Sequence, residues 1–184
     1  MIIHFIGLGG SGKTTVAKLL AQKLKIQYFD LDEYFIEKVG DISLFIDQYG
    51  YEIYAKRNIE LYIQLRASIE RNKLSILVCS SGFMAYPKDI HSGYLKIIQK
   101  IENDASTFLL MPALDLDGCI KIIIKRQLSR SYLNTTAEKE ELKIRKRFDL
   151  YNNLNCEKVL THRSLEEVIQ NISLLIIQKL KFYD

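Results

Sequence analysis

The amino-acid sequence predicts an α/β fold of three layers, in which helices cover both faces of a five-stranded parallel sheet. Two observations predict it. Short apolar runs rich in β-branched and aromatic residues alternate with longer stretches of helical periodicity along the 184 residues, and that alternation requires crossover connections and hence parallel strands. The first run passes directly into Gly7-Leu8-Gly9-Gly10-Ser11-Gly12-Lys13-Thr14. This segment satisfies G-x-x-x-x-G-K-[ST] at every specified position, in the strand, loop, helix order the motif needs.

The expected strands are residues 2–6, 26–30, 75–79, 107–111 and 158–160. After the first, Gly7, Gly9, Gly10 and Gly12 open φ values closed to other residues, so that successive N–H groups turn inward around a phosphate. A helix over 13–25 follows, with Val16, Leu19, Leu20 and Leu24 on one face. Its first-turn N–H groups and positive dipole end favour an anion at the same point. Lys13 is then the group that reaches the β- and γ-phosphates, Thr14 the hydroxyl that ligates magnesium, and Gly9, Gly10, Ser11, Gly12 and Thr15 complete the cradle. The expected cofactors are ATP and Mg2+.

In parallel sheets ligands gather beyond the carboxyl ends of the strands. That singles out the Gly7 loop, Asp30-Leu31-Asp32, Ser80-Ser81-Gly82 and the region after Pro112. The third strand runs into Ser80 and Ser81 without the carboxylate usual there in phosphate-loop proteins, so another acid must serve the magnesium. Asp30 and Asp32, at alternate positions past a strand, point to the same side and are the natural candidates. Asp32 is also placed to cap a helix starting near Glu33, and the two roles are compatible. Residues 37–51, with Gly40 and Gly50 around a short amphipathic piece, read as a cover, and residues 125–147, dense in charge, as a mobile lid. Lys121, Lys125, Arg126 and Arg130 recur at spacings that put most of them on one face of a helix leading into that lid.

Bulk properties narrow the classes. With 26 Lys and Arg against 22 Asp and Glu, the net charge of +4 suits a binder of polyanionic nucleotides without requiring nucleic acid. The length fits a single domain over 1–184. No run approaches a membrane span and the chain enters its first strand at once, so a cytoplasmic location is expected, with no membrane or nucleic-acid partner, as a monomer or homodimer. Cys79, Cys119 and Cys156 form neither a disulfide framework nor a zinc pattern and read as reduced and buried. His4, His91 and His162 are scattered. A GTPase-type switch is disfavoured. Asp115-Leu116-Asp117-Gly118 fits D-x-x-G by letter but comes late and opens a helix, and Asn72-Lys73-Leu74-Ser75 lacks the terminal Asp that reads guanine.

The stretch from Gly7 to Ala21, followed by Tyr28-Phe29-Asp30-Leu31-Asp32, resembles the opening of shikimate kinases, which carry G-x-x-G-x-G-K-[ST] and then F-x-D-x-D. Gly40-Asp41-Ile42 to Gly50 resembles that family's substrate-binding segment, about 33–60 here. Arg130-Ser131-Tyr132-Leu133 resembles its lid motif R-P-L-L, in a lid of about 127–146, and Arg147-Phe148-Asp149-Leu150-Tyr151 its R-x-P-L-Y. The resemblance implies a three-layer P-loop kinase fold that moves the γ-phosphoryl of ATP to a hydroxyl of a small, polar, carboxylated acceptor. It makes Asp30 a magnesium-side acid, Asp32 the residue that contacts and deprotonates the acceptor hydroxyl, and Arg130 the lid arginine that steadies the transferring group. It sets Arg126 beside adenine, Gly82 in the acceptor site, and Arg147 on an anionic group of the acceptor.

The departures lie on the acceptor side. The family's G-E-x-x-F-R-x-x-E reads Gly50-Tyr51-Glu52-Ile53-Tyr54-Ala55-Lys56-Arg57-Asn58 here, so the clamp Arg falls on Ala55 and its acidic partner on Asn58. Lys56 or Arg57 is the candidate replacement, although one step along a helix turns a side chain by about 100°. Ser80-Ser81-Gly82 stands where the family has three glycines. Shikimate leads by resemblance. A sugar acid, an amino acid derivative or a nucleoside are alternative acceptors, and a nucleotide-binding regulator without turnover is the alternative class.

Overall fold

β1 (Ile2–Ile6) opens the chain and becomes the centre of the sheet. In the computed structural model, which describes residues 1–70, 72–129 and 136–180, it pairs in parallel with β3 (Ser75–Val78) on one side and β4 (Thr107–Met111) on the other. β2 (Gln27–Asp30) and β5 (Glu157–Leu160) complete the order β2-β3-β1-β4-β5. All pairings are parallel. β2 starts one residue later than periodicity suggests because Lys25 adopts φ 54° and Ile26 N–H bonds back to Ala21 O, which spends both residues on a helix-ending turn.

The two-residue period of the strands divides the core. Ile3 and Phe5, Ile76 and Val78, and Phe108 and Leu110 face α1 (Lys13–Leu24) and α8 (Leu165–Leu180), whose Val16, Leu20, Val168 and Ile172 meet them. Leu19, expected on that face, is 36% exposed; Ala17 and Ala21 take the contact, because the apolar stripe of α1 runs through 16, 17, 20 and 21. Ile6, Leu77, Leu109 and Met111 turn the other way. They meet α4 (Tyr51–Ser68), α5 (Tyr94–Glu102), α6 (Leu116–Leu128) and α7 (Ala137–Asn152). The fold is therefore the expected three-layer α/β sandwich. At about 1.5–3 kcal/mol for each fully buried Leu, Ile or Phe, these two clusters dominate its stability.

α2 (Leu31–Lys38) and α3 (Ile42–Tyr49) lie between β2 and α4, in the region expected to cover the acceptor. α2 begins at Leu31, two residues before the start near Glu33 that the sequence suggests, and its cap is Asp30 rather than Asp32. The extended backbone of Asp30 (φ −117°, ψ 123°) lets its own carboxylate turn back onto the N–H groups of Asp32 and Glu33. α6 opens as expected, on Asp115, whose carboxylate accepts from Gly118 N–H at 2.7 Å. All three cysteines are free thiols, and Cys156 is half-buried rather than buried. Among the described residues no helix is long and apolar enough to cross a membrane.

Candidate active site

The carboxyl ends of β1, β2 and β3 bring three loops together. The first is the glycine loop, in which Gly7, Gly10 and Gly12 hold φ of 142°, 75° and 98°. These values favour glycine, and at Gly7 a Cβ would in addition run into the Leu110 carbonyl oxygen. The loop is thus shaped by its sequence into a nest of backbone donors at the start of α1. Lys13, buried at 8% exposure, reaches back over it and donates to Gly7 O at 2.9 Å and Leu8 O at 3.0 Å. Ser11 is fully buried, whereas Thr15 is exposed on the first turn of α1.

The second loop carries the two acids. Thr14 Oγ1 donates to Asp30 Oδ2 at 2.7 Å, so the hydroxyl and the carboxylate expected to serve magnesium already touch. Asp30 Oδ1 accepts from Asp32 N–H at 2.9 Å. Asp32 itself is held from the third loop, where Ser80 Oγ donates to its Oδ1 at 2.5 Å. Burial pushes the Asp32 carboxyl above the ordinary carboxylate range, and the nearby charge of Asp30 adds to this, while the Ser80 hydrogen bond and Lys13 oppose it. No group of three or more His, Cys, Asp or Glu suited to a metal occurs among the described residues. The donors present, one hydroxyl and one or two carboxylates, are hard oxygens of the kind magnesium takes alongside phosphate oxygens and water.

The side expected to take an acceptor is built from β3's turn, α4 and α7. Arg147 Nη2 donates to Tyr51 Oη at 2.9 Å, and its Nη1 lies 3.5 Å from Ser81 O. Tyr151 Oη donates to the same Ser81 O at 3.0 Å. Gly82 is the floor of this contact: a Cβ there would lie 2.5 Å from Tyr51 Oη and 3.2 Å from Arg147 Nη2. Asn58 and Ala55, at the positions of the family's clamp, are both buried at 0% exposure. Asn58 Nδ2 donates to Ser80 Oγ at 3.1 Å, and Tyr86 Oη donates to Asn58 Oδ1 at 3.1 Å. Arg57 is not brought to this cluster. Two steps beyond Ala55 turn it about 200° around α4, where it pairs with Glu60 at 2.9 Å.

On the far side of the glycine loop lies a cleft of about 340 Å³ lined by Gly10, Gly12, Thr15, Arg126, Thr161 and Arg163 among others. Arg126 forms its wall by donating to Gly10 O at 3.3 Å and to Thr161 O at 2.5 Å, and Thr161 Oγ1 donates to Ser11 O at 2.8 Å. Thr161 and Arg163 are not singled out by any motif in the sequence. A signal for them exists all the same, since they follow the fifth strand directly and ligands gather at the carboxyl ends of strands. Arg130, the expected lid arginine, lies outside the described residues, as do residues 131–135 after it.

Comparison with known proteins agrees with this fold. The family model described as shikimate kinase matches residues 9–177. A shikimate kinase of Clostridium botulinum is 27% identical over 176 residues, covering 95% of this chain and 96% of that one. One from Enterococcus faecalis is 31% identical over 100 residues, spanning 54% of this chain and 55% of its own length. Among solved structures, the shikimate kinase from Acinetobacter baumannii in complex with shikimate superposes with a TM-score of 0.70 at 20% identity, covering 97% of this chain and 93% of that one.

Proposed function

Because the chain belongs to the shikimate kinase family, we propose that it is an ATP- and magnesium-dependent kinase that phosphorylates a hydroxyl of a small, polar, carboxylated metabolite, shikimate first among the candidates. The observation that carries this is the convergence of Lys13, the Thr14–Asp30 contact and the Ser80–Asp32 contact at the ends of three adjacent strands. A triphosphate on the glycine loop would point its terminal phosphoryl group toward acids fed from β2.

In this reading the loop N–H groups and Lys13 hold the phosphates, with Lys13 exchanging its carbonyl contacts for phosphate oxygens. Thr14 and Asp30 hold the magnesium ion, which when bound neutralises phosphate charge. Asp32 orients the acceptor hydroxyl and takes its proton. Arg147, Tyr51 and Gly82 hold the acceptor's anionic group, and Arg126 walls the base. Arg130 is the lid arginine by its place in the sequence. Most of the catalysis is positioning and fixed charge, because phosphoryl transfer asks for little covalent work from the protein.

ADP release measured with shikimate, gluconate, other hydroxy acids, sugars and nucleosides tests the proposal. Stimulation by shikimate at millimolar concentration is expected. Stimulation by a different acceptor alone would overturn the shikimate assignment, and no stimulation by any would overturn the kinase reading. Lys13→Ala should abolish turnover and weaken ATP binding; unchanged values for both would remove the loop from the mechanism.

A further inference from the structure

Ser80 and Asn58 are both departures from the family's pattern, and the fold makes them partners. Ser80 follows β3, and Asn58 lies on the buried face of α4, 22 positions earlier in the chain. Each is almost wholly buried, at 2% and 0% exposure, so their polar atoms have to be satisfied by protein groups. The bonds run in one direction. Tyr86 Oη donates to Asn58 Oδ1, Asn58 Nδ2 donates to Ser80 Oγ, and Ser80 spends its single proton on Asp32 Oδ1.

That direction has a geometric consequence for Asp32. The hydroxyl of Ser80 has one proton; Asn58 supplies a donor to its oxygen, and of the two acceptors beside it, the Tyr54 hydroxyl and the Asp32 carboxylate, the carboxylate at 2.5 Å takes that proton. Oδ1 of Asp32 is thereby occupied, while among the described residues no hydrogen bond is made to the other oxygen, Oδ2. A glycine at position 80 would have no such hydroxyl, and an acid at position 58 would have no amide donor to hold it. The substitutions therefore make sense together and less sense singly.

We propose that Ser80 and Asn58 are positioning residues, which fix the Asp32 carboxylate so that Oδ2 faces the acceptor hydroxyl. The proposal rests on the reading of Asp32 as the residue that meets that hydroxyl. Tyr86 anchors the far end of the chain, and α4 contributes a neutral brace where the family pattern would put a charged clamp. A carboxylate released from this brace would rotate out of line with the acceptor, and a misplacement of about 1 Å is enough to cost about 100-fold in rate.

The test uses the full chain with magnesium-ATP, and ADP release is followed with shikimate, gluconate, deoxyadenosine and water alone as acceptors. Ser80→Ala should lower kcat by about 10- to 100-fold while leaving the KM for ATP close to that of the parent; the buried Asn58 amide loses its acceptor, so the melting temperature should fall by a few degrees. Ser80→Thr, which keeps the hydroxyl, should recover most of the loss, and Asn58→Ala should give a smaller drop of the same kind. In an Asp32→Ala background, Ser80→Ala should have no further effect. A loss that persists in that background, or a parent-like kcat for Ser80→Ala, overturns the proposal. If instead Asp32→Ala turns over like the parent, the reading of Asp32 fails. Crystal structures of the parent and Ser80→Ala proteins test the brace independently of turnover: the Asp32 carboxylate should rotate in the variant, and one that stays in place overturns the brace.

Discussion

Tyr51 and Arg147 meet although 96 positions separate them, and in the proposed function the quality of that contact decides how an anionic acceptor is held. The guanidinium has five donors and no acceptor, and its hydrogen-bond partners among the described residues, Tyr51 Oη and Ser81 O, are neutral. Its charge is oriented without being cancelled. Replacing Arg147 by Gln removes that charge, and with charge-assisted bonds worth about 1.5–3 kcal/mol the KM for a carboxylated acceptor should rise about 10- to 100-fold. Tyr51→Phe removes only the orienting hydroxyl. A net neutral bond is worth about 0.5–1.5 kcal/mol, so a rise of about 2- to 10-fold is expected, with the KM for ATP unchanged in both variants. Steady-state kinetics with both substrates varied will show it. Equal losses for acceptor and ATP would mean that the pair supports the fold and not the acceptor.

At the scale of elements, Asp30 joins the start of α2 to the start of α1. One carboxylate oxygen caps α2 through the N–H groups of Asp32 and Glu33, and the other accepts from Thr14 on the first turn of α1. The cap and the proposed magnesium site call on different properties of the side chain. Capping needs an oxygen of any kind, which Asn also supplies, whereas magnesium binding draws on the negative charge. Asp30→Ala should therefore cost about 1 kcal/mol of stability in urea unfolding, and Asp30→Asn only a few tenths. Both should need more magnesium for half-maximal turnover. A magnesium requirement like the parent's in Asp30→Asn would leave the residue as a cap alone. Part of this was legible in advance. The glycine loop and the Asp30–Asp32 pair are each contiguous in the chain, so spacing alone singles them out, and the fold brings them into contact. The choice of Asp30 over Asp32 as cap was not, because it turns on the backbone angles of one residue at a strand end.

Across the whole molecule, the alternation of apolar runs was enough to give five parallel strands, since a two-residue period leaves little choice about which side chains face which layer. Contacts between distant segments left no such trace. Asn58 to Ser80, Arg147 to Tyr51 and Thr161 to Ser11 are each made by folding, and Arg57 looked equivalent to its neighbours until the helix turned it outward. His4 is another such case, unremarkable in the sequence and, in the centre of the sheet, only 4% exposed. Its Nε2 lies 3.0 Å from Tyr62 Oη on α4, and burial pushes its pKa down to about 4 from 6.5, with Asp104 opposing and Arg66 and Lys100 assisting. Between those values the unfolded chain binds a proton that the folded chain refuses, so stability rises with pH across that interval and is lost as pH falls. The shift corresponds to a loss of about 3 kcal/mol, complete near pH 4 and absent above about pH 7. Urea unfolding at about pH 7, 5.5 and 4.5 should show the parent losing stability faster than His4→Gln, a variant that is less stable at neutral pH but has no proton to take up. Parallel curves for the two proteins would place the acid sensitivity elsewhere. A steeper curve for the parent would identify a buried imidazole on β1, opposite α4, as the point where acid enters the energetics of the fold.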